Sequence, residues 1–457
     1  VVGFGNNSQI RDSLNLFESR VRVIYRLVCQ HGVTHALLTS DGTPSTDSFL
    51  KACHNGFAKA QKLIIAELIT VQETKKSLEE GLKSARKKKN KISINNTKKK
   101  IGVENFKEAV LRKLADSIAW HMIGGQNYIA RRLCLREQSR PTLSSSNLSS
   151  VIQVVDSYNE TNFLSFALVS DITNFIQVGD VLLASPDGLK IIEVKEGDKN
   201  LEAATVIAEL NEHSTYEEQV DSLVTDNKLR DQIYRMLRQK NRAEQVTTLL
   251  NEEIGTDLST NLSVEIIDPK YPSEKYYDEL YALMEQLSPK KDWAYTVIGG
   301  CLHIGVYKGD WRACGPNLLR ASAFEEFDEK YPVANLQDGL RQAFVEPLFV
   351  KPFSEDQIFD IAFGRISIFI LLRIDHFIEL FETTKASARM LPPKRSRREQ
   401  SKHPKDKLLM HQGCCIEITN ESGTWFLGDG IEFRIVYDNM TPRCIIGMNA
   451  NAYHLDA

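Results

Sequence analysis

The stretch GDVLLASPDGLKIIEVKEG, residues 179–197, decides how the chain is read. Its centre, SPDG (185–188), is a strong turn signal, with Pro at the second position and Gly at the fourth. Apolar runs flank the turn on both sides, so the stretch reads as a β-hairpin. With SPDG as the loop, Ala184 faces Leu189, Leu183 faces Lys190, Leu182 faces Ile191 and Val181 faces Ile192. Asp180 then faces Glu193. Side chains alternate along a strand with period two, so Lys195 lies on the same sheet face as Glu193. Two carboxylates and an ammonium are thus expected to converge at the open end of one hairpin. A one-residue slip in register would separate them.

Facing carboxylates repel unless something compensates. A hard divalent cation is the natural compensator. Mg²⁺ takes oxygen ligands and is commonly held by one or two protein carboxylates plus water and phosphate. Asp180 and Glu193 are the candidate metal ligands for Mg²⁺ or Mn²⁺, and the carbonyl of Val194 is a further one. Lys195 is placed to hold a metal-bound water or to neutralise charge developing on a phosphate. These parts suit metal-assisted phosphodiester hydrolysis.

The residues Gly179-Asp180 and, after twelve intervening residues, Glu193-Val194-Lys195 resemble the pattern of the PD-(D/E)xK nuclease superfamily. The Pro that usually precedes the first acid is replaced by Gly179. The resemblance covers about 101–270 and implies an α/β fold with a restriction-endonuclease-like α-β-β-β-α-β core. It also implies a further acid from the first core helix, for which Glu108 is better placed than Glu104. The same analogy favours DNA over RNA as substrate.

Outward from the hairpin, residues 1–100 read as helical. Leu50, Phe57, Ile64, Val71 and Leu78 recur every seven residues, but His54, Gln61 and Lys75 make the companion positions too polar for a coiled-coil seam. A long amphipathic helix packed on its neighbours fits better, and these helices are the expected surface for a protein partner or a second copy. The run ARKKKNKISINNTKKK, 85–100, reads as a solvated linker, with a phosphate-binding patch as the alternative. From 103 onward, Phe106, Val110, Leu114, Ile118 and Met122 mark a helix ending at Gly124-Gly125, with His121 in a structural role near its end. VIQVVDSY, FLSFALVS, GDVLLA and LKIIEVK read as strands, 213–253 as helical, and SVEIID (263–268) as a strand.

In the helix DNKLRDQIYRMLRQKNRAEQV, Lys228, Arg235, Arg238 and Arg242 fall on one face, and Gln232 accompanies them. Such a stripe suits a phosphate backbone, and it equally suits a solvated face paired with Asp231 and Glu244.

The expected organisation is a helical region at 1–100, a nuclease-like domain at 101–310 and an α+β region at 311–457. The last carries a basic, Pro-containing segment at 390–407 that reads as an exposed loop. Trp293, Tyr295 and Trp311 read as core, and GCCIEITNESGTWFLGDGIEFRIVYD as two or three strands. The eight cysteines are scattered without a CxxC pair, so neither structural zinc nor a disulfide framework is expected. The longest apolar run, ISIFILL (366–372), is far short of a membrane span, and the first residues lack a secretion signal. A reducing, cytoplasmic setting follows as the expectation. A nuclease flanked by unrecognised regions suggests an effector of prokaryotic anti-phage defence. A non-catalytic nucleic-acid-binding module and an assembly scaffold are the competing readings.

Overall fold

The computed structural model describes residues 8–39, 45–134, 142–143, 147–210, 216–256, 263–266, 273–325, 331–402 and 407–450. The chain is mixed α and β, 62% helix and 16% strand, and the strand pairs among the described residues are antiparallel. It divides into two units, 1–266 and 267–457.

The first unit opens with α1 (Ser8–Cys29), α2 (His31–Thr39) and the long α3 (Thr46–Lys87), which starts on a Ser45 cap accepting the Ser48 N–H. Phe57, Ile64 and Val71 of the seven-residue pattern are buried. The polar companions have separate work. His54 Nδ1 meets the Phe163 carbonyl at 2.8 Å, Gln61 bonds the first strand, and Lys75 pairs with Glu108 at 3.3 Å.

The segment 85–100, expected as a solvated linker, is helical apart from a short turn. It completes α3, turns through Lys88–Asn90 with Lys89 at φ 51°, and begins α4 (Lys91–Met122) on an Asn90 cap. The expected division at 100/101 therefore falls inside one helix. Phe106, Val110, Leu114 and Ile118 are buried as their spacing predicts, and the His121 ring stacks on Phe57.

After α5 (Asn127–Arg132) comes α6 (Leu148–Thr161). VIQVVDSY is thus helical rather than extended. Leu148, Val151 and Val155, at steps of three and four, are the residues it buries, and that spacing outweighs its β-branched composition. A three-stranded sheet follows in the order β1 (Phe166–Val169), β2 (Val181–Ser185), β3 (Gly188–Ile192). Then come α7 (Asp198–Glu209), α8 (Tyr216–Leu223) and α9 (Asn227–Glu252).

The strand expected at 263–268 does not join this sheet among the described residues. Ser263–Glu265 form β5, which among the described residues pairs with β4 (Ile254–Thr256), and 267–268 lie outside the described residues. The outer edge of β1 is capped by side chains instead. Asn159 bonds both the N–H and the carbonyl of Ala167, and Gln61 accepts the Val169 N–H at 2.8 Å. An edge whose backbone groups are already satisfied has little to offer an added strand.

The second unit contains α10 (Tyr277–Glu285), β6 (Trp293–Ile298), β7 (Leu302–Lys308), α11 (Trp311–Ala323), β8 (Ala334–Asn335), α12 (Glu355–Ala362), β9 (Ile366–Leu372) and α13 (Ile374–Glu379). Its first sheet runs β6-β7-β9-β8. The expected boundary at 310/311 would separate β6 and β7 from β9, to which β7 pairs over its full length. Trp293 and Trp311 are not core; they are 44% and 42% exposed. The stretch NLQDGLRQAFVEPLF (335–349) carries two short 3-10 turns, Leu336–Arg341 and Leu348–Val350.

The chain continues through β10 (Ser387–Met390), α14 (Pro393–Lys402), β11 (Met410–His411), β12 (Cys414–Asn420), β13 (Gly423–Phe426), α15 (Gly430–Val436) and α16 (Pro442–Ala450). The basic segment expected as a loop is thus largely the helix α14, with 403–406 outside the described residues. The last of the expected strands, after Gly-Asp-Gly, is α15. No described helix is long and apolar enough to cross a membrane, and no disulfide joins the described cysteines.

Candidate functional site

The hairpin folds in the register its turn dictates. Val181 pairs with Ile192, Leu182 with Ile191, Leu183 with Lys190 and Ala184 with Leu189. Ser185–Gly188 closes the ladder, leaving Pro186 and Asp187 at the tip. The regular ladder ends at Val181–Ile192, and beyond it the Asp180 N–H donates to the Ile192 carbonyl at 2.9 Å, one position off the strand register.

Gly179 explains how the chain enters this strand. Its φ is +76°, and a Cβ there would lie 2.2 Å from Ile191 Cγ2. Both the left-handed backbone and the close approach require glycine.

Asp180 reaches across the strand pair, and its Oδ2 accepts the Val194 N–H at 2.7 Å. Lys195 Nζ donates to Glu193 Oε2 at 3.0 Å and to Gln239 Oε1 of α9 at 2.8 Å. Glu193 and Lys195 are each 22% exposed, so their ion pair is partly desolvated. The Val194 carbonyl, expected as a metal ligand, accepts the Asn147 amide at the start of α6 at 2.8 Å.

A third carboxylate joins them. β1 ends opposite β2, and the Ser170 N–H donates to the Asp180 carbonyl at 2.9 Å, which brings the next residue, Asp171, beside Asp180. Burial pushes the Asp171 carboxyl above its ordinary range, and the charges of Asp180 and Glu193 push it further, against the opposing pull of Arg112. Among the described residues the Asp171 carboxylate has no hydrogen-bond or ion-pair partner. Its sequence signal, an acid two residues past an apolar strand, is too common to single out.

Glu108 is one step removed. Its carboxylate takes Arg112 Nε at 3.1 Å, Gln72 Nε2 at 3.2 Å and Lys75 Nζ at 3.3 Å. Burial alone would raise its pKa, but Arg112, Gln72 and Lys75 outweigh that and hold it low. Arg112 in turn donates to the Asp171 carbonyl at 2.7 Å, so Glu108 supports the acidic corner through a guanidinium rather than entering it. Glu104 pairs with Lys107 at 2.9 Å.

Among the described residues no three acids, histidines or cysteines close into a metal cage. The donor chemistry nevertheless fits a hard divalent cation. Among the described residues Asp180 and Glu193 each keep one carboxylate oxygen without a partner, and Asp171 shares their field. Such a cation would be held by two carboxylates and completed by water.

Glu193 and Lys195 open onto a cleft of about 810 Å³ between the hairpin and the helices α7 and α9. Gln239 and Lys240 face it from α9. The stripe of Lys228, Arg235, Arg238 and Arg242 is exposed, and among the described residues none of the four forms an ion pair; Glu244 pairs with Lys240 instead, at 3.8 Å. Gln232, expected with the stripe, is tied to Asn200 of α7. Periodicity finds the stripe but cannot say which face of α9 meets β3, so Gln239 escapes sequence reading. Compared with family models, with curated proteins and with solved structures, the chain gives no match.

Proposed function

We propose that the first unit is a metal-dependent nuclease that hydrolyses phosphodiester bonds, DNA before RNA, with a restriction-endonuclease-like core in which the β1 edge is closed by side chains. The observation that carries this reading is the gathering of Asp180, Glu193 and Lys195 at the open end of the hairpin, with Glu193 and Lys195 lining a cleft. Asp180 and Glu193 hold Mg²⁺ or Mn²⁺, which when bound supplies Lewis-acid activation of water and charge stabilisation at the phosphate. Lys195 provides a positive charge at the cleft mouth, beside the scissile phosphate, and Gln239 fixes its direction. Lys240 and the α9 stripe supply charge along which the strand runs. A role as an anti-phage effector would follow from such an activity, with the second unit recognising a trigger.

A non-catalytic binding module is the second reading. It is favoured by the pairing of the polar groups with one another: Lys195 donates to Glu193 and Gln239, and one Asp180 oxygen accepts the Val194 N–H. Incubation of the full chain with plasmid, single-stranded DNA and RNA, with chelator, Mg²⁺ or Mn²⁺, separates the two. Glu193→Gln and Lys195→Ala are each expected to lower metal-dependent cleavage at least about a hundredfold while the protein stays folded. Cleavage that survives both substitutions would place the active site elsewhere. Binding without cleavage in every metal would select the second reading.

A further inference from the structure

The helix α14 in the second unit is a strongly basic element that the proposed nuclease site does not use. Lys394, Arg395, Arg397, Arg398 and Lys402 oppose a single acid, Glu399. The helix is anchored rather than loose. Ser396 is fully buried, its Oγ donating to the Leu391 carbonyl at 3.0 Å and accepting the Cys415 N–H at 2.9 Å.

Beneath it, one buried carboxylate organises two exposed guanidinium groups. Glu417, with 4% side-chain exposure, takes Arg389 at 2.6 Å and Arg395 at 3.0 Å, and those arginines remain 68% and 52% exposed. Two guanidinium groups are therefore held around one acid with N–H donors still directed at solvent. Ser387, Thr419 and Thr424 lie on the same sheet face and are exposed, so hydroxyl donors border the arginines. Among the described residues Lys394, Arg397 and Arg398 form no ion pair.

We propose that α14 and the adjoining face of β10, β12 and β13 dock the phosphodiester backbone of a nucleic-acid duplex. Fixed guanidinium groups, unpaired cations and hydroxyls are the groups that contact phosphates. A duplex is favoured over a single strand because the aromatic on this face, Phe426, packs into the small cluster of Leu391, Leu408 and Cys415 and offers no stacking platform. The proposal does not depend on the first unit being a nuclease.

The test is fluorescence anisotropy of a labelled DNA duplex with the full chain in chelator, across a salt series. A duplex RNA, a single strand and polyglutamate serve as competitors. Lys394→Ala/Arg397→Ala/Arg398→Ala is expected to weaken duplex binding about tenfold or more at low salt and to flatten the log K against log salt slope by about 2 to 3. Arg397→Lys/Arg398→Lys should restore most of the affinity, and circular dichroism should be unchanged throughout. Competition by duplex RNA would widen the duplex class to RNA and support the proposal. Unchanged affinity and slope in the triple variant would overturn it. So would a single strand or polyglutamate competing as well as the duplex; the latter would point to an acidic protein. Because chelator prevents metal-dependent cleavage, this outcome is independent of whether the first unit cuts.

Discussion

Asp171 carries the most informative electrostatics in the first unit. Burial and the neighbouring charges of Asp180 and Glu193 raise its folded-state pKa above the ordinary value of 3.8. Its contribution to stability is therefore complete below the unfolded pKa and is lost as pH rises through the folded one. Asp171→Asn should raise the thermal midpoint at neutral pH in chelator, and that gain should vanish once the solution is acid enough to protonate Asp171 in both states. A gain independent of pH would mean the carboxylate is not in the field of its neighbours. Gly179 is a second decisive residue. With φ at +76° and Ile191 Cγ2 within 2.2 Å of a Cβ position, Gly179→Ala should cost about 1–3 kcal/mol in urea unfolding. It should also shift Asp180, so cleavage should fall more than stability alone explains.

At the scale of elements, the three-stranded sheet ends at β1 because side chains close its edge. Gln61 of α3 takes the Val169 N–H at 2.8 Å, and its amide meets the Ala167 carbonyl at 3.4 Å. Gln61→Leu fills similar space but strands a buried donor, and is expected to destabilise by about 1–3 kcal/mol in urea unfolding. Amide exchange at Val169 should accelerate in that variant, while the β2–β3 ladder stays protected. The same residue shows how far a seven-residue pattern can be read. Its polarity argued against a coiled-coil seam, yet periodicity names no partner for it. The β-hairpin was legible because a tight turn sets register locally. VIQVVDSY was not, because eight residues rich in Val and Ile satisfy a strand composition while burying a helical face.

For the whole molecule, the division at 266/267 leaves the Asp171–Asp180–Glu193–Lys195 corner in one unit and the α14 face in the other. The fragment 1–266 is expected to unfold cooperatively and to retain metal-dependent cleavage. The fragment 267–457 should retain salt-dependent duplex binding. Circular dichroism melts, plasmid cleavage and anisotropy on the two fragments check this. Loss of cleavage by a folded 1–266 would show that the second unit contributes to the site itself.

The sequence by itself determined the hairpin, its register, the convergence of Asp180, Glu193 and Lys195, and the apolar face of α4. All depend on a turn or on periodicity, which act over a few residues. Only the tertiary structure decided that Asp171 joins the acids, that Gln239 holds Lys195 and that Glu108 acts through Arg112. It also decided that α3 and α6 close the β1 edge, and that the basic segment after Met390 is a helix anchored on Glu417. Those outcomes depend on which helix face meets which strand, and that is set by packing between residues tens of positions apart in the chain.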